Sequence, residues 1–342
     1  MNYFYTHNDY LNNLVEDYFK ELNIINESKY SGMLSVLLLG SMSRGEASWY
    51  KDENNYDQLI SDIEFFTIYP EGFARFQEWE TDFRNTAKRI FKDQSSSLIH
   101  VDNSFVSIKK IKHLEKKLLL FDAIKMGKTV VGKDYKHLLP PTDINNINFI
   151  DLREILIHRL VSVMYYGTPL KQSGNLTEYR YSLAKNSLDL MTVLLSENGI
   201  LISGFKNRLE AVRGLDIPNR YKDYFEYCLQ IKLSLPQSKA FDIPVMETLF
   251  IELVEVLYKS FKIPFRNVVV NTVPIVRRQL GKIKRGLISK HIALGDLTEK
   301  LISCYHNGMV LSMEVLLDNY VINGYPLIEN IKKYAYNTSD KR

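Results

Sequence analysis

The sequence predicts an α+β protein, with a small domain of strands and helices followed by a mainly helical domain. Within residues 1–140, segments of helical period alternate with short apolar runs typical of strands, in the order helix, strand, strand, helix, strand. From Phe149 onward nearly every pattern has a period of 3.6 residues, which is typical of a helical bundle. A chain of 342 residues is long enough for two domains that each bury a core.

The elements of the first domain are each indicated by their own pattern. A helix with a polar turn after it precedes a central, almost wholly apolar strand that stops at Gly40. Period-2 and apolar runs predict the later strands, and helical spacing of large side chains predicts the later helices. The predicted helices are 8–22, 73–91 and 114–126, the turn is 26–28, and the extended segments are 33–39, 63–69, 97–101 and 129–134.

The sequence Leu139-Pro140-Pro141 interrupts any regular element, because proline lacks the backbone N–H and restricts the residue before it. We therefore place the domain boundary there, with a catalytic domain at 1–140 and a helical domain at 141–342. The helices predicted in the second domain are 152–166, 179–196, 205–212, 221–233 and 246–261, and 268–270 is a possible strand.

Charge and cysteine content narrow the classes of function. The formal net charge is +4 with a pI near 8.7, and basic residues alternate with acidic ones along the chain, which disfavours an extended nucleic-acid track. A basic cluster at 277–285 is typical of a solvated face.

Cys228 and Cys304 lack metal-ligand spacing, so we expect two buried thiols and no disulfide. We expect a cytoplasmic protein without a membrane partner, since neither a signal-peptide pattern nor a spanning apolar segment is present.

The residues that indicate chemistry lie between Gly40 and Glu64. Asp62 and Glu64 are two positions apart on a predicted strand, so their carboxylates share one face. Two like charges on an otherwise apolar strand are costly unless a cation lies between them. Mg²⁺ prefers oxygen ligands, takes one or two carboxylates and completes its coordination with water and phosphate oxygens. The backbone at Gly40 and the hydroxyl of Ser41 suit the close approach of a phosphate.

This pattern resembles the DNA polymerase beta-like nucleotidyltransferase superfamily. The signature of that family is an apolar strand ending in Gly-Ser, a short helix that often continues as Arg-Gly-Glu, and a strand bearing acid-apolar-acid. Here these are Gly40-Ser41, Arg44-Gly45-Glu46 and Asp62-Ile63-Glu64, and the second acid is more often Asp in the family. The resemblance covers the first 140 residues and implies a mixed sheet with flanking helices.

The resemblance also implies roles for individual residues. Gly40, Ser41 and Arg44 would seat the triphosphate of a nucleoside triphosphate, and Asp62 and Glu64 would hold Mg²⁺ or Mn²⁺. Asp102, after the third predicted strand, is the candidate for a third metal-binding carboxylate that helps to activate the acceptor. A helix of the second domain supplies a basic residue to the triphosphate in several branches, and Arg180 and Lys185 are the residues to test. His100 is expected to be structural.

The function expected from these residues is the transfer of a nucleoside monophosphate to an acceptor hydroxyl, with release of pyrophosphate. A small-molecule acceptor, bound between the two domains, is favoured because the basic charge is diffuse. The alternatives are a toxin-like transferase acting on RNA or protein, a synthase of nucleotide second messengers, and an inactive nucleotide-binding scaffold. Serine-hydrolase chemistry is disfavoured, since no Gly-x-Ser-x-Gly elbow surrounds Ser41. The sequence indicates neither the preferred nucleotide nor the oligomeric state.

Overall fold

A computed structural model describes most of the N-terminal two thirds of the chain. The described residues are 2–94, 101–114, 117–147, 149–163, 168–234, 241–260, 321–322 and 325–326. They form a mixed sheet with flanking helices, followed by a helical region, and the predicted α+β class is confirmed. The possible strand at 268–270, the basic cluster at 277–285, Cys304 and His100 lie outside the described residues.

Four strands form the principal sheet, in the order β5-β4-β1-β6. The strand β1 runs antiparallel to both of its neighbours, β4 and β6, whereas β4 and β5 are parallel. The sheet is therefore mixed, and β2 and β3 pair separately as an antiparallel hairpin, as do β7 and β8. The strands are β1 Ser35–Leu38, β2 Trp49–Lys51, β3 Asp57–Leu59, β4 Ile63–Tyr69, β5 Val101–Ser107, β6 Lys128–Val131, β7 Val321–Ile322 and β8 Tyr325–Pro326.

Helices occupy most of the remaining described residues. The α-helices are α1 Asp9–Tyr30, α2 Gly40–Ser43, α3 Phe76–Ile90, α4 Leu118–Met126, α5 Phe149–Ser162, α6 Thr168–Gln172, α7 Leu176–Glu197, α8 Phe205–Arg213, α9 Asn219–Lys232 and α10 Ile243–Ser260. Three short 3₁₀ helices lie at Ile111–His113, Lys136–Leu138 and Ile144–Asn146. Among the described residues, no helix is both long and apolar enough to cross a membrane.

The two faces of the sheet bury different sets of side chains. Alternate residues of β4 point to opposite faces, so Ile63 and Phe65 join an aromatic core with α1 and α3. In that core the rings of Phe65 and Phe83 meet edge to face with centroids 4.8 Å apart. The other face packs Ile68 against a smaller cluster that includes Leu120 of α4. Glu64 has the same parity as Ile68, which places it on the α4 face.

The predicted elements agree with the structure in position more closely than in length. The strand β4 has the predicted bounds, but α1 continues to Tyr30, through the predicted turn at 26–28. Asn26, which looked like a turn residue, is buried and binds the backbone N–H and carbonyl of Leu34 with its side chain. The helix ends instead at Tyr30, and Ser31, which caps it, has a left-handed backbone conformation. The hairpin of β2 and β3 was not predicted, because its strands have three residues each.

The chain forms two compact units, and they differ from the predicted division. The first unit contains residues 1–151 and 194–241, and the second contains 152–193 and 242–342. Residues 194–241 were expected in the helical domain, but they belong to the first unit, where the end of α9 is hydrogen-bonded to residues that precede β2. Thr6 Oγ1 donates to the carbonyl of Leu233 at 3.0 Å, and the Ser48 hydroxyl donates to the carbonyl of Lys232.

The described part of the second unit contains α5, α6, α10 and most of α7. Ion pairs connect these helices: Lys171 on α6 contacts Glu247 on α10 at 2.7 Å, and Arg159 on α5 contacts Asp189 on α7 at 2.8 Å. The hydroxyl of Tyr179 on α7 also donates to Glu247. Glu247 therefore connects three helices of this unit.

Candidate functional site

The turn after β1 requires glycine at its first position. Gly40 has φ +63°, a conformation that side chains disfavour, and a Cβ built there would overlap Oε2 of Glu64. The N–H of Leu39 donates to the carbonyl of Glu64 at 2.8 Å, which extends the pairing of β1 and β4 to the start of the turn. The carboxylate of Glu64 therefore lies directly against the backbone of Gly40.

The register of the two parallel strands brings the predicted carboxylates together. Glu64 of β4 is the direct partner of Asp102 of β5, so their side chains emerge side by side on one face. Asp62 immediately precedes β4 and shares the parity of Glu64. All three side chains are half-buried. Asp102 is thus the second residue of β5, and does not follow the strand as the sequence suggested.

The carboxylates suit a hard cation in their chemistry. Carboxylate oxygens are preferred ligands of Mg²⁺ and Mn²⁺, and a nucleotide-bound Mg²⁺ commonly uses only one or two of them. Glu64 and Asp102, paired in register and half-buried, fit such a site. Within the described residues, no group of three or more His, Cys, Asp or Glu side chains converges as a complete metal site.

The short helix α2 places the rest of the predicted phosphate-binding segment beside these acids. Ser41 is half-buried, and its carbonyl accepts a hydrogen bond of 2.8 Å from the N–H of Glu46. The hydroxyl of Ser43 donates back to the carbonyl of Gly40 at 2.9 Å. The segment 40–46 is therefore closed on itself by short local bonds.

Arg44 is held in a buried ion cluster. Its side chain is only 6% exposed, with Nε 2.7 Å from Glu46 Oε2 and Nη1 3.4 Å from Asp122 Oδ2. Burial alone would lower the pKa of Arg44, but the carboxylates of Glu46, Asp122 and, more weakly, Glu64 raise it above its ordinary value. Arg44 thus stays charged within range of Glu64. Its contact with a triphosphate stays a prediction.

Lys232 is a residue near the site that the sequence analysis did not identify. The side chain is 1% exposed, and its ammonium donates to Ser61 Oγ at 3.0 Å, one residue before Asp62. Ser61 Oγ also accepts from the N–H of Ser48 at 2.7 Å. The available signal was the position of Lys232 four residues after Cys228, on the apolar stripe of its helix. A buried lysine on such a stripe requires partners.

The predicted basic residues of the helical domain lie on α7. Arg180 and Lys185 both belong to the second unit, whereas the carboxylates and the Gly40 turn belong to the first. The triphosphate-binding role of Lys185 stays a prediction.

The chain is similar in structure to a protein of known structure. No protein-family model matches the chain. No curated protein matches it. Among solved structures, the chain is similar to spectinomycin adenyltransferase AAD(9) from Enterococcus faecialis, crystallised with ATP and spectinomycin. The TM-score is 0.45 and the identity 14%, over 70% of this chain and 98% of that chain.

Proposed function

We propose that this protein is a nucleotidyltransferase, which moves a nucleoside monophosphate from a nucleoside triphosphate to a hydroxyl of an acceptor. The observation that carries the proposal is the pairing of Glu64 with Asp102, with the Gly40 turn against the carboxylate of Glu64. A glycine turn that admits phosphate and a pair of half-buried carboxylates are the two parts that phosphoryl transfer needs at one place. The sequence resemblance described above supports the same activity.

Each residue has a role in this proposal. The backbone of Gly40 and Ser41 binds the triphosphate, and Arg44 contributes positive charge beside it. Glu64 and Asp102, the pair that the strand register brings together, would hold Mg²⁺ or Mn²⁺, which would neutralise phosphate charge; Asp62 immediately precedes β4 and stays a predicted ligand. Asp102 accepts the proton of the acceptor hydroxyl as its oxygen attacks the α-phosphorus. The bond from the α-phosphorus to the bridging oxygen breaks, and pyrophosphate leaves.

The acceptor class follows from charge. The net charge is only +4, and basic residues are interleaved with acids over most of the chain, outside the segment that contains the basic cluster at 277–285, so the overall charge favours an acceptor other than RNA. A small molecule bearing a hydroxyl is the acceptor that we propose. RNA or protein acceptors, and a second nucleotide as acceptor, are tested in the same assay.

The test is label transfer from each α-labelled nucleoside triphosphate, with Mg²⁺ and separate pools of small metabolites, RNA and protein. Wild-type protein should transfer label, and Glu64→Gln and Asp102→Asn should each lower the rate by about 10²-fold or more. Asp82→Asn is the matched control, because Asp82 is an ion-paired carboxylate on α3, bound to Lys29. Its rate should equal that of the wild type.

The outcomes separate the candidate functions. Transfer that persists in Glu64→Gln would contradict the role of the paired carboxylates. Metal-dependent binding of nucleotide without transfer to any pool would favour the inactive scaffold. Failure of the wild type both to bind and to transfer would overturn the proposal.

A further inference from the structure

The ion cluster around Arg44 joins three separate segments of the first unit. Asp122 of α4 is at its centre: Oδ1 accepts from Ser203 Oγ at 2.8 Å, and both carboxylate oxygens lie 3.0 Å from Arg208 Nη2. Oδ2 also lies 3.4 Å from Nη1 of Arg44. Asp122 therefore connects α4 to α8, to the segment preceding α8 and to the segment after α2.

A second carboxylate completes the cluster. Glu46 accepts from Arg44 Nε through Oε2 and from the N–H of Phe205 through Oε1, each at 2.7 Å. The guanidinium carbons of Arg44 and Arg208 lie 4.9 and 5.5 Å from the centroid of the Phe205 ring. Both arginines are nearly inaccessible, and Arg208 is only 4% exposed. Two arginines and two carboxylates balance in charge, as burial of ions requires.

The cluster is bonded directly to the predicted phosphate-binding turn. Glu46 donates its backbone N–H to the carbonyl of Ser41 at 2.8 Å, so the residue that anchors Arg44 also fixes Ser41. Asp122 contacts none of Gly40, Ser41 or Glu64 in the described contacts, and it reaches the turn through the guanidinium of Arg44. Loss of its charge would leave two buried arginines with one carboxylate.

We propose that Asp122 is a positioning residue, which holds the turn at 40–46 in its nucleotide-binding geometry through Arg44 and Glu46. The binding of a nucleotide at this turn rests on the proposed function. The restraint of the turn by Asp122 does not depend on it. Asp122 is assigned no contact with substrate.

The first experiment measures amide hydrogen exchange of the free full-length protein. Asp122→Asn keeps the shape of the side chain and removes its charge, so exchange within residues 40–46 should accelerate by about tenfold. Asp82→Asn is the matched control, since its carboxylate is 21% exposed against 17% for Asp122 and is bound to Lys29 and Tyr30. The control should leave exchange at 40–46 unchanged.

A second variant covers the case in which Asp122→Asn fails to fold. The double variant Asp122→Asn with Arg208→Gln restores the balance of one arginine against one carboxylate, but it still deprives Arg44 of its second anchor. Exchange at 40–46 should remain accelerated in this folded variant. Unchanged exchange in a folded variant that lacks Asp122 would overturn the proposal.

The second experiment is a double-mutant cycle on nucleotide affinity. Asp122→Asn should raise the dissociation constant for the nucleoside triphosphate by about tenfold, and Arg44→Gln should raise it at least as much. The double variant should bind like Arg44→Gln alone, because Asp122 acts through Arg44. A purely structural role would give additive losses instead, and additivity would overturn the proposal. Wild-type protein that binds no nucleotide would contradict the proposed function, while the exchange result would still decide whether Asp122 restrains the turn.

Discussion

Gly40→Ala is the substitution for which the structure predicts the sharpest result. The added methyl group meets two separate obstacles: the backbone has φ +63°, and the position of Cβ overlaps Oε2 of Glu64. The first obstacle affects stability, and the second displaces a carboxylate that we place in the active site. Two other glycines separate these effects. Gly72→Ala introduces only the strained backbone, and Gly132→Ala introduces the strain together with an overlap outside the proposed active site.

The magnitude follows from these two terms. Holding alanine in the left-handed region costs about 1–2 kcal/mol. Relief of the overlap requires Glu64 to rotate or the turn to move, and a strained arrangement of this kind costs about 1–3 kcal/mol more. For transfer, a displacement of about 1 Å at the reacting groups lowers the rate by about 10²-fold. We therefore expect a loss of stability of about 2–5 kcal/mol and a loss of activity of about 10²-fold.

Two other glycines provide matched controls. Gly72 has φ +79° with nothing within 4 Å of an added Cβ, so Gly72→Ala should lose about 1–2 kcal/mol and retain transfer. Gly132 has φ +68°, and its added Cβ would overlap the carbonyl of Leu34. Gly132→Ala should therefore lose at least as much stability as Gly40→Ala, because a backbone carbonyl yields less readily than a side chain. Its transfer rate per folded molecule should stay near the wild-type rate.

The assays are chemical denaturation for stability and label transfer at a temperature where every variant is folded. If Gly40→Ala transfers label as fast as Gly72→Ala does, the contact between Gly40 and Glu64 is not part of the active site. If Gly132→Ala loses transfer to the same extent as Gly40→Ala, the loss reports general strain, and the assignment of the site to this turn fails.

Two further predictions concern lysines of the first unit. Burial lowers the pKa of Lys128, so the native state binds this proton less tightly than the unfolded chain does. The free energy of unfolding should therefore rise with pH between the lowered pKa and the ordinary pKa of 10.5. Wild-type melting temperature should therefore increase relative to that of Lys128→Met as pH is raised from 7 to 10; a constant difference would contradict this. Lys232→Met removes the buried ammonium bound to Ser61 and should cost about 1–3 kcal/mol, measured by denaturation. Lys171→Met removes one partner of a half-exposed ion pair and should cost less than about 1 kcal/mol. Equal losses of stability in Lys232→Met and Lys171→Met would contradict the stabilising role of the buried ammonium.

The sequence predicted β1 and β4 well because they are short, apolar and stopped by distinctive residues, but it placed the third strand at 97–101, whereas β5 is Val101–Ser107. The strand β4 has the bounds that its pattern indicated, with Pro70 at its end. Alternation then placed Asp62 and Glu64 on one face without any knowledge of the tertiary structure. The pairing of Glu64 with Asp102 was beyond the sequence, because the register of two parallel strands depends on packing and on the connection between them.

The length of α1 was underestimated for a physical reason that local propensity does not contain. Asn26, Glu27 and Ser28 favour turns when solvent surrounds them, which is why the helix was predicted to end near Leu22. In the structure the amide of Asn26 is fully buried and binds both backbone groups of Leu34. Tertiary hydrogen bonding thus compensates a residue that is unfavourable in a helix by itself.

The division of the helices between two units shows the same limit on a larger scale. The helices α8 and α9 were recognised as helices, but their amphipathic patterns state only that one face is buried and not against which partner. Hydrogen bonds from Thr6 and Ser48 to the end of α9 settle that question, and both donors are in the sheet-containing part of the chain. Ser and Thr are mostly exposed in folded proteins, so no sequence pattern marks these two as buried contacts.

The sequence indicates that Asp122 needs a cationic partner, but it does not identify Arg208 as that partner. Asp122 interrupts the apolar run Leu118-Leu119-Leu120-Phe121, and a carboxylate in that setting requires a cationic partner from another element. The requirement is visible in the sequence, but the partners are 78 and 86 residues away, among 44 lysines and arginines. Only the fold selects Arg44 and Arg208 from that number. Because Arg44 lies within the turn at 40–46, the fold gives Asp122 a consequence for the site that its own position in the sequence does not suggest.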